Sequence, residues 1–118
     1  MAQRRELIKG SIGSLLLCLI ERQPMYGYLI MKELEKRSQG YFKFKEGTLY
    51  PALHRLEKAG LLEGRWQALP NGRQRRYYHI TEKGLRRLAA ERSQWQDFLV
   101  AMNLIIQPVS DYHEVKKW

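Results

Sequence analysis

A mainly α-helical fold with one small β-hairpin is the class this sequence predicts, and three observations carry the prediction. Apolar residues recur three and four apart in successive segments up to Gly60, the period drops to two between Leu61 and Ile80, and a long helical periodicity resumes after Thr81. A length of 118 residues fits one compact unit. Within it, residues 1–80 are expected to form the body and residues 81–118 a final helix and tail.

The first helix is read from Leu7, Ile8, Ile12, Leu15, Leu16, Leu19 and Ile20, which share one broad stripe between Glu6 and Ile20 before Pro24 stops it. A second helix opens near Tyr26, carries Ile30 and Leu34 inward, and ends at Ser38-Gln39-Gly40. The third follows the aromatic and basic stretch Tyr41-Phe42-Lys43-Phe44-Lys45 and ends at Gly60, placed as a left-handed cap. Leu61 to Trp66 and Arg75 to Ile80 are strand-like, with turn-forming Pro70-Asn71-Gly72 between them. Thr81 then caps a long helix with Glu82 in its first turn, and Pro108 ends it near Gln107.

Twenty-one Lys and Arg against twelve Asp and Glu leave a net charge of +9, which favours a polyanionic partner, either nucleic acid or an anionic membrane surface. No apolar stretch approaches the roughly 20 residues needed to cross a bilayer. The start, with Arg4 and Arg5 before the run from Ile12 to Ile20, resembles a signal peptide superficially. Glu6, Lys9 and Gly10 interrupt it, and no small-residue cleavage site follows. With Cys18 as its single cysteine the chain has no internal disulfide, and a cytoplasmic setting is expected.

Three helices followed by a hairpin is the order of a winged helix-turn-helix, in which the third helix enters the major groove and the hairpin touches the flanking backbone. In that third helix Leu49, Leu53 and Leu56 share the inward face. Thr48, Pro51, Arg55 and Lys58 lie opposite, with Tyr50 and His54 on the flank, groups suited to phosphates and base edges. Arg73, Arg75 and Arg76 cluster at the hairpin tip and Arg65 faces them, where guanidinium groups can neutralise phosphates; a merely solvated basic surface is the plainer account of the hairpin alone.

Three motifs then carry a family resemblance. Gly47-Thr48-Leu49-Tyr50-Pro51-Ala52-Leu53-His54-Arg55-Leu56-Glu57-Lys58-Ala59-Gly60-Leu61-Leu62 resembles the recognition helix of PadR regulators. Gly72-Arg73-Gln74-Arg75-Arg76-Tyr77-Tyr78-His79-Ile80-Thr81-Glu82-Lys83-Gly84 resembles their wing and the entry to their last helix, and Met25-Tyr26-Gly27-Tyr28 the opening of their second. The resemblance spans about residues 7–107 and implies a homodimeric repressor on an inverted-repeat operator of double-stranded DNA, released in some members by a small molecule. Carried over, it puts Tyr26 on a phosphate, Thr48, Tyr50, Pro51 and His54 at the major groove, and Arg73 and Arg75 in the wing, with Lys43 and Lys45 as further phosphate contacts. One departure stands out. Lys45 occupies the place of a Ser or Asn cap, and if Thr48 caps instead, Pro51 falls in the first turn and Thr48 becomes structural.

Along the last helix Leu85, Leu88, Arg92, Trp95, Leu99, Met102 and Ile106 form a seam that Phe98, Ala101 and Ile105 widen. Such a stripe asks for a partner helix, most simply from a second copy, with Leu7 and Leu15 of the first helix completing the interface. The resemblance also points to Trp95, with Phe98 and Met102, as a place for a small planar aromatic effector, although ordinary interface packing accounts for the same residues. No enzyme site, metal cluster or cofactor motif is expected. Cys18 sits in an apolar run, His54, His79 and His113 fall on separate segments, and no Gly-rich phosphate loop exists. Trp66, Tyr77 and Tyr78 read as cross-strand packing or as platforms for unpaired bases. A protein-interaction adaptor and an RNA-binding protein remain the alternative functions.

Overall fold

The computed structural model describes residues 2–108, with side chains from Gly10 onward. The side chain of Leu7 and the tail from Val109 to Trp118 lie outside the described residues. Chain order is α1 (Ala2–Arg22), α2 (Gly27–Arg37), α3 (Glu46–Lys58), β1 (Leu62–Ala68), β2 (Gln74–Ile80) and α4 (Glu82–Ile105). This is the mainly helical fold with one antiparallel hairpin that the periodicities predict.

α1 is the hub, packing against α2, α3, β2 and α4. Its Leu16, Leu17 and Ile20 are buried together with Ile30 and Leu34 of α2, Leu49 and Leu53 of α3, Leu61, Leu62 and Tyr78 of the hairpin region, and Leu88 of α4. Each such side chain contributes roughly 1.5–3 kcal/mol by leaving water. A one-residue third strand, which the sequence reading lacks, ties the hairpin to the entry of α2. The Met25 N–H donates to the Tyr78 carbonyl at 3.3 Å, and the Tyr78 N–H donates back at 2.8 Å.

Helix ends are closed as the residues suggest. At the end of α3 the Leu61 N–H donates to the Leu56 carbonyl at 2.9 Å and the Gly60 N–H to that of Glu57 at 3.0 Å, with Gly60 at φ 78°. α2 ends in the same pattern, but its left-handed position is held by Gln39 at φ 54°. Thr81 caps α4 by accepting from the Gly84 N–H at 3.0 Å, and it donates to the Gly60 carbonyl at 2.6 Å, locking the exit of α3 to the start of α4.

The start of α3 differs from expectation. The helix opens at Glu46, Lys45 occupies the cap position without a side-chain bond, and Thr48 is already the third helical residue. Thr48 is therefore not a cap, and Pro51 lies inside the helix rather than in its first turn. Glu46 supplies the anion that the helix dipole favours at this end.

The predicted seam of α4 divides in two. Its first half, apart from the exposed Leu85, packs against the protein's own α1: Trp95 Nε1 donates to Ser14 Oγ at 3.1 Å, Ser14 donates to Glu91 at 2.8 Å, and Arg92 pairs with Glu21 at 2.7 Å. Leu88 is 1% exposed within the single chain, which corrects its assignment to an interface between copies: it has no surface left to offer one. Leu15 is half-buried in the groove between α1 and α4. Beyond Trp95 the helix projects, and Phe98, Leu99, Val100, Met102, Leu104, Ile105 and Ile106 all stand exposed.

Gly84 marks the tightest joint. A Cβ there would overlap the Leu61 carbonyl oxygen, a backbone atom that has no room to retreat. Gly84→Ala is expected to destabilise the protein by roughly 1–3 kcal/mol, read as a lower thermal midpoint, whereas an unchanged midpoint would mean the joint relaxes freely.

Candidate nucleic-acid interface

α3 turns Leu49 and Leu53 fully inward, and this fixes what its other side presents. Thr48, Pro51, His54, Arg55 and Lys58 are exposed along that outer face, which no described element of the chain covers. Lys43 and Lys45, also exposed, stand just before it on the segment whose Phe42 and Phe44 rings stack at 6.0 Å and pack against the core. Two basic residues thereby precede the N-terminus of α3, where the helix dipole also favours an anion.

Tyr50 departs from its expected place. It is half-buried, with its hydroxyl packed against Gly27 so closely that any side chain at Gly27 would collide with the ring. Burial first, then the nearby Glu46 and Tyr78, push the phenol's pKa up and keep it a neutral donor. Its role in shaping the site is as a wall joining α3 to α2.

The hairpin runs in register from Leu62 opposite Ile80 to Ala68 opposite Gln74. At the tip the Gly72 N–H donates to the Leu69 carbonyl at 2.9 Å, Gly72 takes φ 85°, and Asn71 Oδ1 accepts from the Arg73 N–H at 3.0 Å. This three-residue turn carries Arg73 outward, exposed to solvent. Arg75 points elsewhere: its guanidinium lies 3.9 Å from the Tyr26 ring centre, and Tyr26 meets Tyr77 edge-on at 5.5 Å. The two residues assigned to separate contacts thus make one cationic corner at the N-terminus of α2.

Sequence reasoning missed what orients the wing. Arg76 forms a two-pronged pair with Glu57 of α3, and Glu57 also accepts from the Gly64 N–H at 3.2 Å. Gly64 has no side chain because the Arg76 guanidinium crosses directly over it. The resulting cleft between α2, α3 and the wing has a volume of about 810 Å³ and is lined by Tyr26, Tyr28, Tyr50, His54, Trp66, Gln74, Arg75 and Arg76, with Tyr78 at its base. A charged residue next to the last position of α3, with an Arg on a following strand, was the available signal for the Glu57 pair.

The model of the transcriptional regulator PadR-like family matches residues 16–90, from the middle of α1 through the wing into α4. The chain belongs to the PadR-like family of transcriptional regulators. It is 33% identical to transcriptional regulator Rv3488 of Mycobacterium tuberculosis over 88 residues, 75% of this chain and 78% of that one. Among solved structures, a PadR-like transcriptional regulator from Bacillus cereus superposes with a TM-score of 0.78 at 34% identity, covering 87% of this chain and 98% of that one. A PadR-family regulator from Eggerthella lenta superposes at 0.74 with 32% identity, covering 90% and 92%. Membership makes this a DNA-binding transcriptional regulator with the winged-helix fold. Among the described residues no helix is long and apolar enough to cross a membrane.

In this PadR-like chain the Glu57 pair also sets a pH response. The hydrogen bonds from Arg76 hold the Glu57 carboxyl below its ordinary value of 4.5, burial opposing them, so the pair's contribution to stability is complete above that value. It is lost as pH falls from 4.5 through the depressed folded value. Glu57→Gln should lower the thermal midpoint at neutral pH and flatten its fall in acid; an acid profile identical to that of the unmodified protein would remove Glu57 from the explanation.

Proposed function

We propose that this regulator is a cytoplasmic homodimeric repressor that binds an inverted-repeat operator through α3 and the wing. The observation that carries the reading is the two-sidedness of α3: Leu49 and Leu53 at zero exposure on one side, uncovered Thr48, Pro51, His54, Arg55 and Lys58 on the other. In this reading residues 1–80 bind DNA and residues 81–118 dimerise. Thr48, Pro51, His54 and Arg55 face base edges and adjacent phosphates, with Tyr50 at the margin. Tyr26 with Arg75, and Lys43 with Lys45, grip phosphates, and Arg73 reaches the flanking groove.

Two copies are supported by the projecting end of α4. From Phe98 to Ile106 its large side chains are 40–82% exposed and distributed around the helix, an apolar surface beyond what a soluble monomer ordinarily leaves in water. In this reading Leu99, Met102 and Ile106, all exposed in the single chain, belong to that interface, with Leu15 and Trp95 flanking it. A repressor so built occupies its operator and excludes competing proteins, and its two-fold axis calls for half-sites about one DNA turn apart.

An effector site at Trp95 gains support from the hollows on its two sides. One, of about 350 Å³, is lined by Leu15, Cys18, Phe42, Leu88 and Leu99; the other, of about 360 Å³, by Gly10, Ser14, Glu91, Gln94 and Phe98. Met102 lines neither, so Trp95 and Phe98, whose rings meet edge-on at 5.6 Å, are the residues on which a planar aromatic compound would rest.

In competition between duplex carrying an inverted repeat selected by the protein, random duplex and RNA, the palindrome should win. Affinity should fall by roughly 0.9 log units per neutralised phosphate for each log unit of salt. Arg73→Ala should weaken every sequence alike, and His54→Ala should change the preferred base; equal binding of all three nucleic acids would remove the operator reading. Sedimentation should show a dimer that Ile105→Glu converts to monomer without lowering protomer stability, since Ile105 is 82% exposed. Saturable quenching of tryptophan fluorescence by planar cationic dyes, abolished by Trp95→Ala, is the outcome the effector site requires.

A further inference from the structure

We propose that Trp66 is a DNA contact, its indole lying against the sugar–phosphate backbone of the strand that passes between the wing and α3. The inference rests on the DNA-binding reading of α3 and adds to it a surface that the basic residues do not supply.

Strand geometry places Trp66. Leu62, Gly64 and Trp66 of β1 share one face with Gln74, Arg76 and Tyr78 of β2. That face is the inner one, because Leu62 and Tyr78 are buried in the core and Arg76 reaches Glu57 of α3. Nearer the tip the same face leaves the core, and there Trp66 is 66% exposed. Its cross-strand neighbour Arg76 is committed to Glu57, so the indole is not packed away by the hairpin. It stands instead as part of the wall of the open cleft, which His54 of α3 and Tyr28 of α2 also line.

Chemistry selects the occupant. Among the described residues no carboxylate lines the cleft, whereas Arg75, which has no carboxylate partner among them, does, so an anionic chain is favoured there. An indole presents an electron-rich face, which repels phosphate oxygens and suits the C–H edge of a sugar, together with one N–H that can donate to a phosphate. A deoxyribose–phosphate unit offers both partners within one nucleotide. Such a contact reads no base, so it should add affinity for duplex of any sequence.

The test uses the full chain and a random-sequence duplex at low salt. With tryptophan replaced by 5-fluorotryptophan, the fluorine resonance that Trp66→Phe removes should shift when duplex is added. Trp66→Ala should weaken random duplex and palindrome alike by about fivefold, the net contribution of about one hydrogen bond. The salt slope should stay unchanged, whereas Arg73→Ala should reduce it by about one. Because Trp66 is exposed, the thermal midpoint of Trp66→Ala should match that of the unmodified protein, which separates lost contact from lost fold. If Trp66→Ala binds duplex normally and its resonance is still, while Arg73→Ala binds poorly, the Trp66 contact is wrong and the DNA interface stands. If neither variant loses affinity, the interface itself is misplaced. A Trp66-dependent preference for single strands over duplex would mean base stacking and would also overturn the proposal.

Discussion

Everything this molecule offers to DNA depends on how firmly α3 is held from behind. Leu49 and Leu53 carry no solvent exposure, and they sit against a core whose centre is the run Leu16, Leu17 and Ile20 of α1. A helix anchored through one face has a single orientation for the other, so a handful of polar side chains becomes a defined surface and not an average over rotations. The cost of loosening this anchor is large, because replacing a buried leucine by alanine removes about 2–5 kcal/mol from a fold of ordinary stability.

The wing is positioned by a different kind of force. The Arg76 guanidinium, laid across Gly64 and paired with Glu57, fixes the angle of the hairpin to α3 through planar, directional bonds. Both partners are about a quarter to a third exposed, so the pair acts chiefly through geometry, with modest net stabilisation. Apolar packing sets the depth of α3, and this pair sets what stands beside it. The cleft between them follows from the combination.

Most of the fold was legible because its signals are local. The shift from helical to alternating period located the hairpin, Gly60 and Gly72 marked two of the left-handed positions, and Thr81 announced α4. What escaped depends on pairings distant in sequence. Met25 bonds to Tyr78 in a strand too short to show a period, and Glu57 meets Arg76 across nineteen positions. Leu88 fitted the seam of α4 by spacing, yet spacing does not say whether a helical stripe meets its own chain or another copy. The candidate site was legible as a list of outward residues on α3 and the tip, but not in its joints, such as Arg75 resting on Tyr26 or Tyr50 wedged against Gly27.

The close approach of Gly84 to Leu61 makes α4 a lever with a stiff fulcrum. Its 24 residues extend for about 36 Å, so a rotation of about 5° at the fulcrum displaces the far tip by about 3 Å. Read in reverse, a few ångströms of travel at the tip corresponds to an angular error small enough for side chains at the fulcrum to resist. Stiffness at this glycine, together with the ties from α1 as far as Trp95, therefore sets the tolerance with which anything clasped by the distal helix is aligned with the winged head.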